Sequence, residues 1–289
     1  MKSPLSWSGL ALGVLCLTAC GGGHSSGTTP TTPDTTYDSS ALYVANSGST
    51  TIEEYTEPFT GMPSTITLPY EPTGLVFNSA GDLFVAEPNQ DSVVEYAPPY
   101  NSVTGTTTDD VDQPEAVALN SSGELFVADS GESQVTAYVS PYTGTPALIL
   151  TAGIDDPTGL AFDSSDNLYV SNYGSSNTVT KYSAPSYTSS TTLISGLDIP
   201  EGIAISSSGD IFVANFGNST VGEYTSTGTP IATISTDVNK PDGVAFDSSG
   251  DLFVANHGNS TVTEYTSPYT GSPAVTISAS LSDPAGLAF

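Results

Sequence analysis

The sequence contains almost no positive charge. Its 289 residues include 31 acidic residues but only three lysines, Lys2, Lys181 and Lys240, and no arginine, so the formal net charge is −28. Nucleic-acid binding needs clustered cations that displace counterions from phosphates, and bidentate clamps on phosphates need arginine. The composition therefore excludes nucleic acid and anionic lipid surfaces as partners and argues against kinase or dinucleotide chemistry.

Cysteine is also scarce. Cys16 and Cys20 are the two cysteines, and both lie in the first twenty residues. If this segment is removed or modified, the remaining chain has no disulfide, no thiol nucleophile and no thiolate metal ligand. The stability of the folded part must then come from packing.

The N-terminal segment has the order of regions found in an export signal. Lys2 precedes a short apolar run, 10–17, that is too short to span a bilayer. Leu17-Thr18-Ala19-Cys20 resembles the lipobox of bacterial lipoproteins. The resemblance implies a signal peptide over residues 1–19 and a lipid on Cys20. An ordinary secretory signal is the alternative.

The segment that follows, residues 20–37, is rich in Gly, Ser, Thr and Pro, cannot bury apolar surface, and is predicted to be a flexible tether. Because Gly21 rather than Asp follows the cysteine, the lipoprotein resemblance implies the outer membrane or cell surface of a bacterium, with the periplasmic side as an alternative. The lipid anchor would be the only contact with a membrane.

A sequence unit recurs through the rest of the chain. It begins with a proline followed by a Gly-Leu-Ala-Phe-like run, a Ser-Ser-Gly-Asp-like turn and a Leu-Phe-Val-Ala-like run. Successive units are 41–43 residues apart and start at Pro72, Pro114, Pro157, Pro200, Pro241 and Pro284. A period of this length, built of short strands and Gly/Asn/Asp turns, is typical of the blades of a β-propeller.

Each unit predicts four strands. The small residues of the first strand, as in 159–162, suit an innermost position where blades crowd together. The second strand, as in 83–86, is apolar on both faces, and the fourth, as in 65–68, has the weakest pattern. The third ends in a tyrosine, whose hydroxyl we expect to face water, at Tyr55, Tyr96, Tyr138, Tyr182, Tyr224 and Tyr265.

The two ends of the repeat region complete one another. The last unit stops at PAGLAF, 284–289, and the region starts at 38–46 with DSSALYVAN. Joined, they form a nearly complete unit. We therefore predict an all-β, six-bladed β-propeller of four-stranded blades over residues 38–289, closed by a C-terminal strand that joins three N-terminal strands between positions 41 and 68.

The pattern P-x-G-[LIV]-A-F-D-x-x-G-[DN]-L-[FY]-V-A-[ND] closely resembles the NHL-repeat family, which includes six-bladed propellers. The resemblance covers residues 38–289. It departs at Pro284, where the unit is truncated, and at 87–89, where Glu-Pro-Asn replaces the usual Asn-x-Gly. Many family members have arginine in the third strand, and this chain does not, which weakens any transfer of phosphate or nucleic-acid binding.

Two sets of polar residues are predicted to share one mouth of the central channel. The residues after each proline are Thr73, Glu115, Thr158, Glu201, Asp242 and Ala285. Those that end the second strands are Asn46, Glu87, Asp129, Asn172, Asn215 and Asn256. An oxygen-rich mouth suits a divalent cation such as calcium or a hydroxyl-rich ligand, with candidate metal ligands Glu115, Asp129, Glu201 and Asp242. Alternatively, the Asx residues only cap turns.

His257 is the one histidine within residues 38–289, and it follows a second strand. Its ordinary pKa suits a general base. Tyr173 and Phe216 occupy the equivalent loop position and could stack on a sugar or an aromatic ligand. The same position holds unrelated residues in the other three units, so an incidental loop substitution is the alternative.

Three functions are compatible with these features. The first is a monomeric cell-envelope lipoprotein whose propeller is a binding or scaffold module for a protein, peptide or glycan. The second, which the family resemblance permits, is a metal-dependent lyase or lactonase with its site at the channel mouth. The third is a purely structural surface repeat protein. The fold alone does not choose among them.

Overall fold

The computed structural model describes residues 38–289, which form six antiparallel sheets of four strands each. The predicted signal peptide, Cys20 and the predicted tether lie outside the described residues. Within the part described, no helix is long and apolar enough to cross a membrane. The innermost strand of each sheet contacts the innermost strands of the two adjacent sheets, which closes a ring. The predicted six-bladed propeller is confirmed.

The strands are numbered in chain order. β1 to β3 are Leu42–Asn46, Thr51–Tyr55 and Ser64–Thr67; β4 to β7 are Leu75–Phe77, Leu83–Glu87, Ser92–Tyr96 and Val103–Thr107; β8 to β11 are Pro114–Leu119, Leu125–Asp129, Gln134–Tyr138 and Leu148–Leu150. β12 to β15 are Pro157–Phe162, Leu168–Asn172, Thr178–Tyr182 and Ser190–Ser195; β16 to β19 are Pro200–Ile205, Ile211–Asn215, Thr220–Tyr224 and Pro230–Ile234. β20 to β23 are Pro241–Phe246, Leu252–Asn256, Thr261–Tyr265 and Val275–Ile277, and β24 is Pro284–Ala288. Short 3₁₀ helices occupy Pro88–Gln90 and His257–Asn259.

Blade 1 joins the two ends of the described chain. Its strand order is β24-β1-β2-β3, with Tyr43 opposite Ala288 and Val44 opposite Leu287. Blades 2 to 6 follow in chain order, each built from four consecutive strands beginning at β4, β8, β12, β16 and β20. The predicted closure by the C-terminal strand is confirmed, and it leaves no open edge between blades 6 and 2.

The innermost strands approach one another so closely that most have glycine at the third position of the unit. A Cβ atom on Gly243 would lie 2.0 Å from the carbonyl oxygen of Ala285, and one on Gly286 would lie 2.2 Å from that of Thr73. Blade 3 has Ala116 at this position. The expected crowding of small residues near the axis is confirmed, because the space between these backbones admits only glycine or, in blade 3, alanine.

The second strands form the core. All five residues of β21 are buried, and the same is true of the second strands of the other five blades. Each second strand lies between two neighbouring blades, so both of its faces are covered by apolar side chains. The alternating polar face of a half-exposed strand is therefore absent from these segments, as their sequence indicates.

The tyrosines that end the third strands do not point to water, which corrects the expectation from sequence. Tyr55, Tyr138, Tyr182 and Tyr265 are at most 2% exposed. The hydroxyl of each donates to a backbone carbonyl of the preceding blade, at Ala279, Asp109, Ala152 and Thr236, respectively. Because these carbonyls follow outer strands and have no sheet partner, these four tyrosines tie blades 1, 3, 4 and 6 to the blades before them.

A second set of aromatic residues closes the opposite end of the propeller, and the sequence analysis did not find it. Tyr269 lies in the connection between the third and fourth strands of blade 6. Its ring packs edge-on against Phe212 of blade 5, with ring centroids 5.2 Å apart, and its hydroxyl donates to the carbonyl of Gly250. Equivalent rings are Phe59, Tyr100, Tyr142 and Tyr187.

Candidate functional site

A cavity of about 700 Å³ occupies the central channel at the end where the first strands begin. All six residues that follow the prolines line it, as predicted: Thr73, Glu115, Thr158, Glu201, Asp242 and Ala285. They reach it because each first strand begins at the channel mouth, where the residue after the proline faces the cavity. The strand geometry thus brings one side chain from every blade to a common space.

Three of these six side chains are carboxylic acids, and they come from blades 3, 5 and 6. Glu115, Glu201 and Asp242 each lie one residue after the start of β8, β16 and β20. The two threonines of the set are already hydrogen-bonded to the next blade, Thr73 to the carbonyl of Pro114 and Thr158 to that of Pro200. The three carboxyl groups are therefore the main polar groups of this ring that could contact a ligand.

Burial raises the pKa values of all three carboxyl groups, and neighbouring negative charge adds to this effect at Asp242 and Glu201. Burial and the neighbouring charge of Glu115 raise the pKa of Asp242 to about 7. Burial, with the charges of Asp242 and Glu115, raises the pKa of Glu201 well above its ordinary value, and burial alone raises that of Glu115. About a third of the Asp242 side chain is accessible, but it faces the cavity rather than the outer surface, so water screens it less than an outer-surface group.

No lysine of the described chain neutralises this cluster. Lys181 pairs with Asp163 at 3.6 Å, and the Nζ atom of Lys240 lies 5.5 Å above the ring of Phe216. These are the two cations that residues 38–289 contain, apart from histidine. The cavity therefore gathers three carboxyl groups without a resident counter-cation.

His257 lies beside this cluster. Its Nδ1 atom is 4.0 Å from Oδ2 of Asp242, and within residues 38–289 it makes no hydrogen bond. The imidazole ring is 5.6 Å from the ring of Phe216. Neither aromatic group lines the cavity, whereas Tyr173, at the equivalent position in blade 4, does and is 44% exposed.

The second predicted set is not at the cavity, which corrects the expectation of a shared mouth. Asn46, Glu87, Asp129, Asn172, Asn215 and Asn256 are at most 4% exposed and do not line the cavity. The asparagine oxygens accept hydrogen bonds from the backbone N–H groups of the preceding linkers, as when Asn239 donates to Asn256 at 2.9 Å. These side chains cap turns, the alternative that Asx chemistry offers.

The donor geometry does not fit a resident metal ion. Among residues 38–289, no group of three or more His, Asp or Glu side chains is close enough together to hold one. Of the candidate ligands, Asp129 is buried outside the cavity, and Glu115, Glu201 and Asp242 do not form such a group. We therefore derive no chemistry through a metal at this site.

Two cavity-lining residues were missed by the sequence analysis. Gln113 and Asp156 stand directly before the prolines of blades 3 and 4, and both line the cavity. Both have positive φ angles near 48°, an uncommon conformation for residues other than glycine. The position before each proline was a usable signal, since it lies on the same loop as the residue after it.

Comparison with known proteins supports the NHL resemblance. Residues 197–224, which span β16 to β18, match the family model described as NHL repeat. The chain is a six-bladed propeller, and one segment of it matches the NHL repeat model. A search of curated proteins gave no sequence match.

Solved structures resemble this propeller in fold. A nidogen/laminin complex contains a chain with TM-score 0.73 and 16% identity, covering 86% of this chain and 97% of that one. A virginiamycin B lyase from Staphylococcus aureus gives TM-score 0.63 and 13% identity, covering 86% of this chain and 88% of that one. XC5397 from Xanthomonas campestris, described as a gluconolactonase, gives TM-score 0.63 and 15% identity, covering 75% of this chain and 79% of that one. At these identities the likeness concerns the fold alone.

Proposed function

We propose that the propeller is a binding module whose central cavity receives a cationic group, such as a lysine or arginine side chain of a protein or peptide partner. The observation that carries this proposal is the convergence of Glu115, Glu201 and Asp242 on one cavity without a resident counter-cation. Burial and neighbouring negative charge raise the pKa values of Glu201 and Asp242, and a ligand ammonium or guanidinium group would favour their ionised forms. Charge complementarity of this kind gives specificity and fast association.

Other features of the wall agree with a cationic ligand. The exposed ring of Tyr173 lies at the cavity, where it could contact a bound cation through its face. The overall charge of −28 would attract a basic partner and repel an acidic one. A glycan would instead use the hydroxyl and carboxyl groups as neutral hydrogen-bond partners, and the experiment below separates the two.

Placement of this module on a cell envelope is a further part of the proposal. The lipobox-like sequence ending at Cys20 would anchor the chain, and the residues before position 38 would hold the propeller away from the membrane. Metabolic labelling with a fatty-acid analogue tests this. Label should enter the parent protein and be lost in Cys20→Ala.

The cavity proposal is tested by calorimetry with a lysine-rich peptide, the same peptide with glutamate for lysine, and a neutral oligosaccharide. Only the lysine peptide should bind, and binding should weaken as salt is raised. The variant E201Q/D242N should reduce its affinity about tenfold or more. The control E57Q/D237N changes the charge equally at exposed positions and should bind like the parent. Equal losses in both variants, or preferential binding of the oligosaccharide, would overturn the proposal.

A catalytic role remains the second candidate, because His257 and Asp242 form an imidazole–carboxylate pair at the edge of the cavity. In this reading, Asp242 orients the imidazole and His257 accepts a proton from a bound substrate. Two structures of similar fold are a lyase and a gluconolactonase. Elimination and lactone hydrolysis are therefore the first reactions to assay. An activity that His257→Ala leaves intact would reject this role.

A further inference from the structure

The residue that ends the second strand has the same structural role in four of the six blades. In blade 4, Oδ1 of Asn172 accepts the backbone N–H of Asp155 at 3.1 Å, and its Nδ2 donates to Thr180 at 3.2 Å. In blade 6, Asn256 makes the matching bonds with Asn239 at 2.9 Å and Thr263 at 3.0 Å. The role requires one acceptor and one donor on the same buried side chain.

Blade 3 has Asp129 at this position. The side chain is 0% exposed, and Thr136, the counterpart of Thr180, donates to its Oδ2 atom at 2.6 Å. Its Oδ1 atom is buried and has no hydrogen-bond partner within residues 38–289. An ionised carboxylate has only acceptors, so it cannot supply the donor that asparagine supplies.

The surroundings of Asp129 contain no positive charge. Burial raises the pKa of Asp129, and the charges of Asp110 and Asp112, in the linker before β8, raise it further. The Thr136 hydroxyl and the backbone of Asp112 each lower it by less than burial raises it. β10 also contributes Tyr138. From β8, Pro114 is paired with Asp129 in the sheet, and the one titratable side chain of that strand, Glu115, lines the cavity instead. Both lysines of the described chain are engaged in other blades. A buried carboxylate with no cation beside it is costly unless it is protonated.

We propose that Asp129 carries a proton in the folded protein, acts as the asparagine of blade 3, and makes this blade sensitive to alkaline pH. The protonated carboxyl presents one acceptor and one donor, which can serve the linker and Thr136 as the amide does in blades 4 and 6. Burial raises the pKa of Asp129 to about 8, against an ordinary value of 3.8.

The raised pKa of Asp129 determines how the stability of the protein changes with pH. Because the folded pKa lies above the unfolded one, the folded state holds the extra proton between these values. The stabilisation is fully present below about pH 4 and is lost progressively as pH rises through about 8. Ionisation would place an unpaired charge among the interior strands.

The cavity wall would respond to this ionisation. The loop after Asp129 is tied to the linker by the N–H of Ser130, which donates to the carbonyl of Gln113, and by that of Gly131, which donates to Asp112. Gln113, Ser130 and Gly131 all line the cavity. Loosening of blade 3 would therefore alter one side of the cavity, whatever ligand the cavity takes.

The melting temperature between pH 4 and pH 9 tests the inference. Asp129→Asn should melt within about 2 °C of the parent at pH 4 and about 5 °C or more above it at pH 9. The matched change Asn172→Asp places a carboxyl at the equivalent site of blade 4 and should add a loss of stability with rising pH. Asn256→Asp repeats this change in blade 6 if the first variant does not fold.

Infrared spectroscopy detects the proton directly. At pH 7, the difference spectrum between the parent and Asp129→Asn should show the C=O stretch of a protonated carboxylic acid, and this band should disappear as pH rises through about 8. A carboxylate band at pH 7, or parallel melting curves of parent and Asp129→Asn across the pH range, would overturn the inference. Both measurements use ligand-free protein, so their outcome is independent of what the cavity binds.

Discussion

Two rings of polar residues surround the axis of this propeller, and they differ in the space that they face. The cavity ring consists of the residues after the unit prolines: Thr73, Glu115, Thr158, Glu201, Asp242 and Ala285. The buried ring consists of the residues that end the second strands: Asn46, Glu87, Asp129, Asn172, Asn215 and Asn256. Both occur once per blade and both are rich in carboxyl or amide groups.

The difference shows that residue type alone does not identify a site. The buried ring is nearly uniform, because its four asparagines each accept a hydrogen bond from a backbone N–H of the equivalent linker. The cavity ring varies from blade to blade, because its members face open space and backbone geometry does not dictate their chemistry. Asymmetry among equivalent positions, together with access to a cavity, is what distinguishes the candidate site.

The largest expected effect comes from the strands that bring the cavity ring together. Gly243→Ala would place a Cβ atom 2.0 Å from the carbonyl oxygen of Ala285. The backbones of blades 6 and 1 would have to separate, and we expect a loss of about 3 kcal/mol or more in the free energy of unfolding. Chemical denaturation measures it.

Gly61→Ala is the control for this variant. No atom lies within 4 Å of a Cβ built on Gly61, so the substitution should leave the stability within about 0.5 kcal/mol of the parent. Equal stability of the two variants would mean that the inner strands do not approach as closely as described, and the cavity ring would then lack its scaffold.

The next effect separates the two rings. Asn256→Ala removes the acceptor for the N–H of Asn239 and the donors to Val254 and Thr263. Leaving these buried groups without partners should cost about 2–3 kcal/mol. Binding of a cationic peptide to the folded variant should be unchanged. A loss of affinity without a loss of stability would place Asn256 in the site rather than in the scaffold.

The repeat made the fold predictable from sequence, and the site only in part. The period, the small residues of the first strands and the split unit 284–289/38–46 define blade number and closure through local patterns. The positions of Glu115, Glu201 and Asp242 followed from them. The burial of Asn172 and its equivalents did not, because it depends on the direction of side chains at a strand end and on contacts with a linker 17 residues earlier.

In the cavity ring, we expect a substitution to change the stability by a smaller amount and to increase it, whereas Asn256→Ala decreases it. Because the pKa of Asp242 is raised to about 7, its contribution to stability is complete below about pH 4 and declines as pH rises through 7. Asp242→Asn should therefore match the parent at pH 4 and exceed it at pH 8. Allowing for screening of a side chain that is one-third accessible, we expect about 1–2 kcal/mol.

Denaturant titrations at the two pH values check this prediction. The gain at pH 8 should accompany weaker binding of the cationic peptide, since the same charge both destabilises the free protein and attracts the ligand. A substitution that increases stability and decreases ligand affinity is characteristic of a functional residue. If Asp242→Asn destabilises the protein at both pH values, Asp242 is a structural group like Asn256, and the distinction between the rings fails at this position.

The smallest effect concerns the tyrosine hydroxyls, which are buried polar groups like the asparagines. The Tyr265 hydroxyl donates to the carbonyl of Thr236 at 2.5 Å, whereas that of Tyr224 makes no hydrogen bond within residues 38–289. Tyr265→Phe should cost about 1 kcal/mol, and Tyr224→Phe should be neutral within about 0.5 kcal/mol. Thr236 is exposed, so water can replace the lost donor and limit the cost. Equal effects in the two variants would show that these hydroxyls do not tie the blades together, and the scaffold role would then rest on the asparagine ring alone.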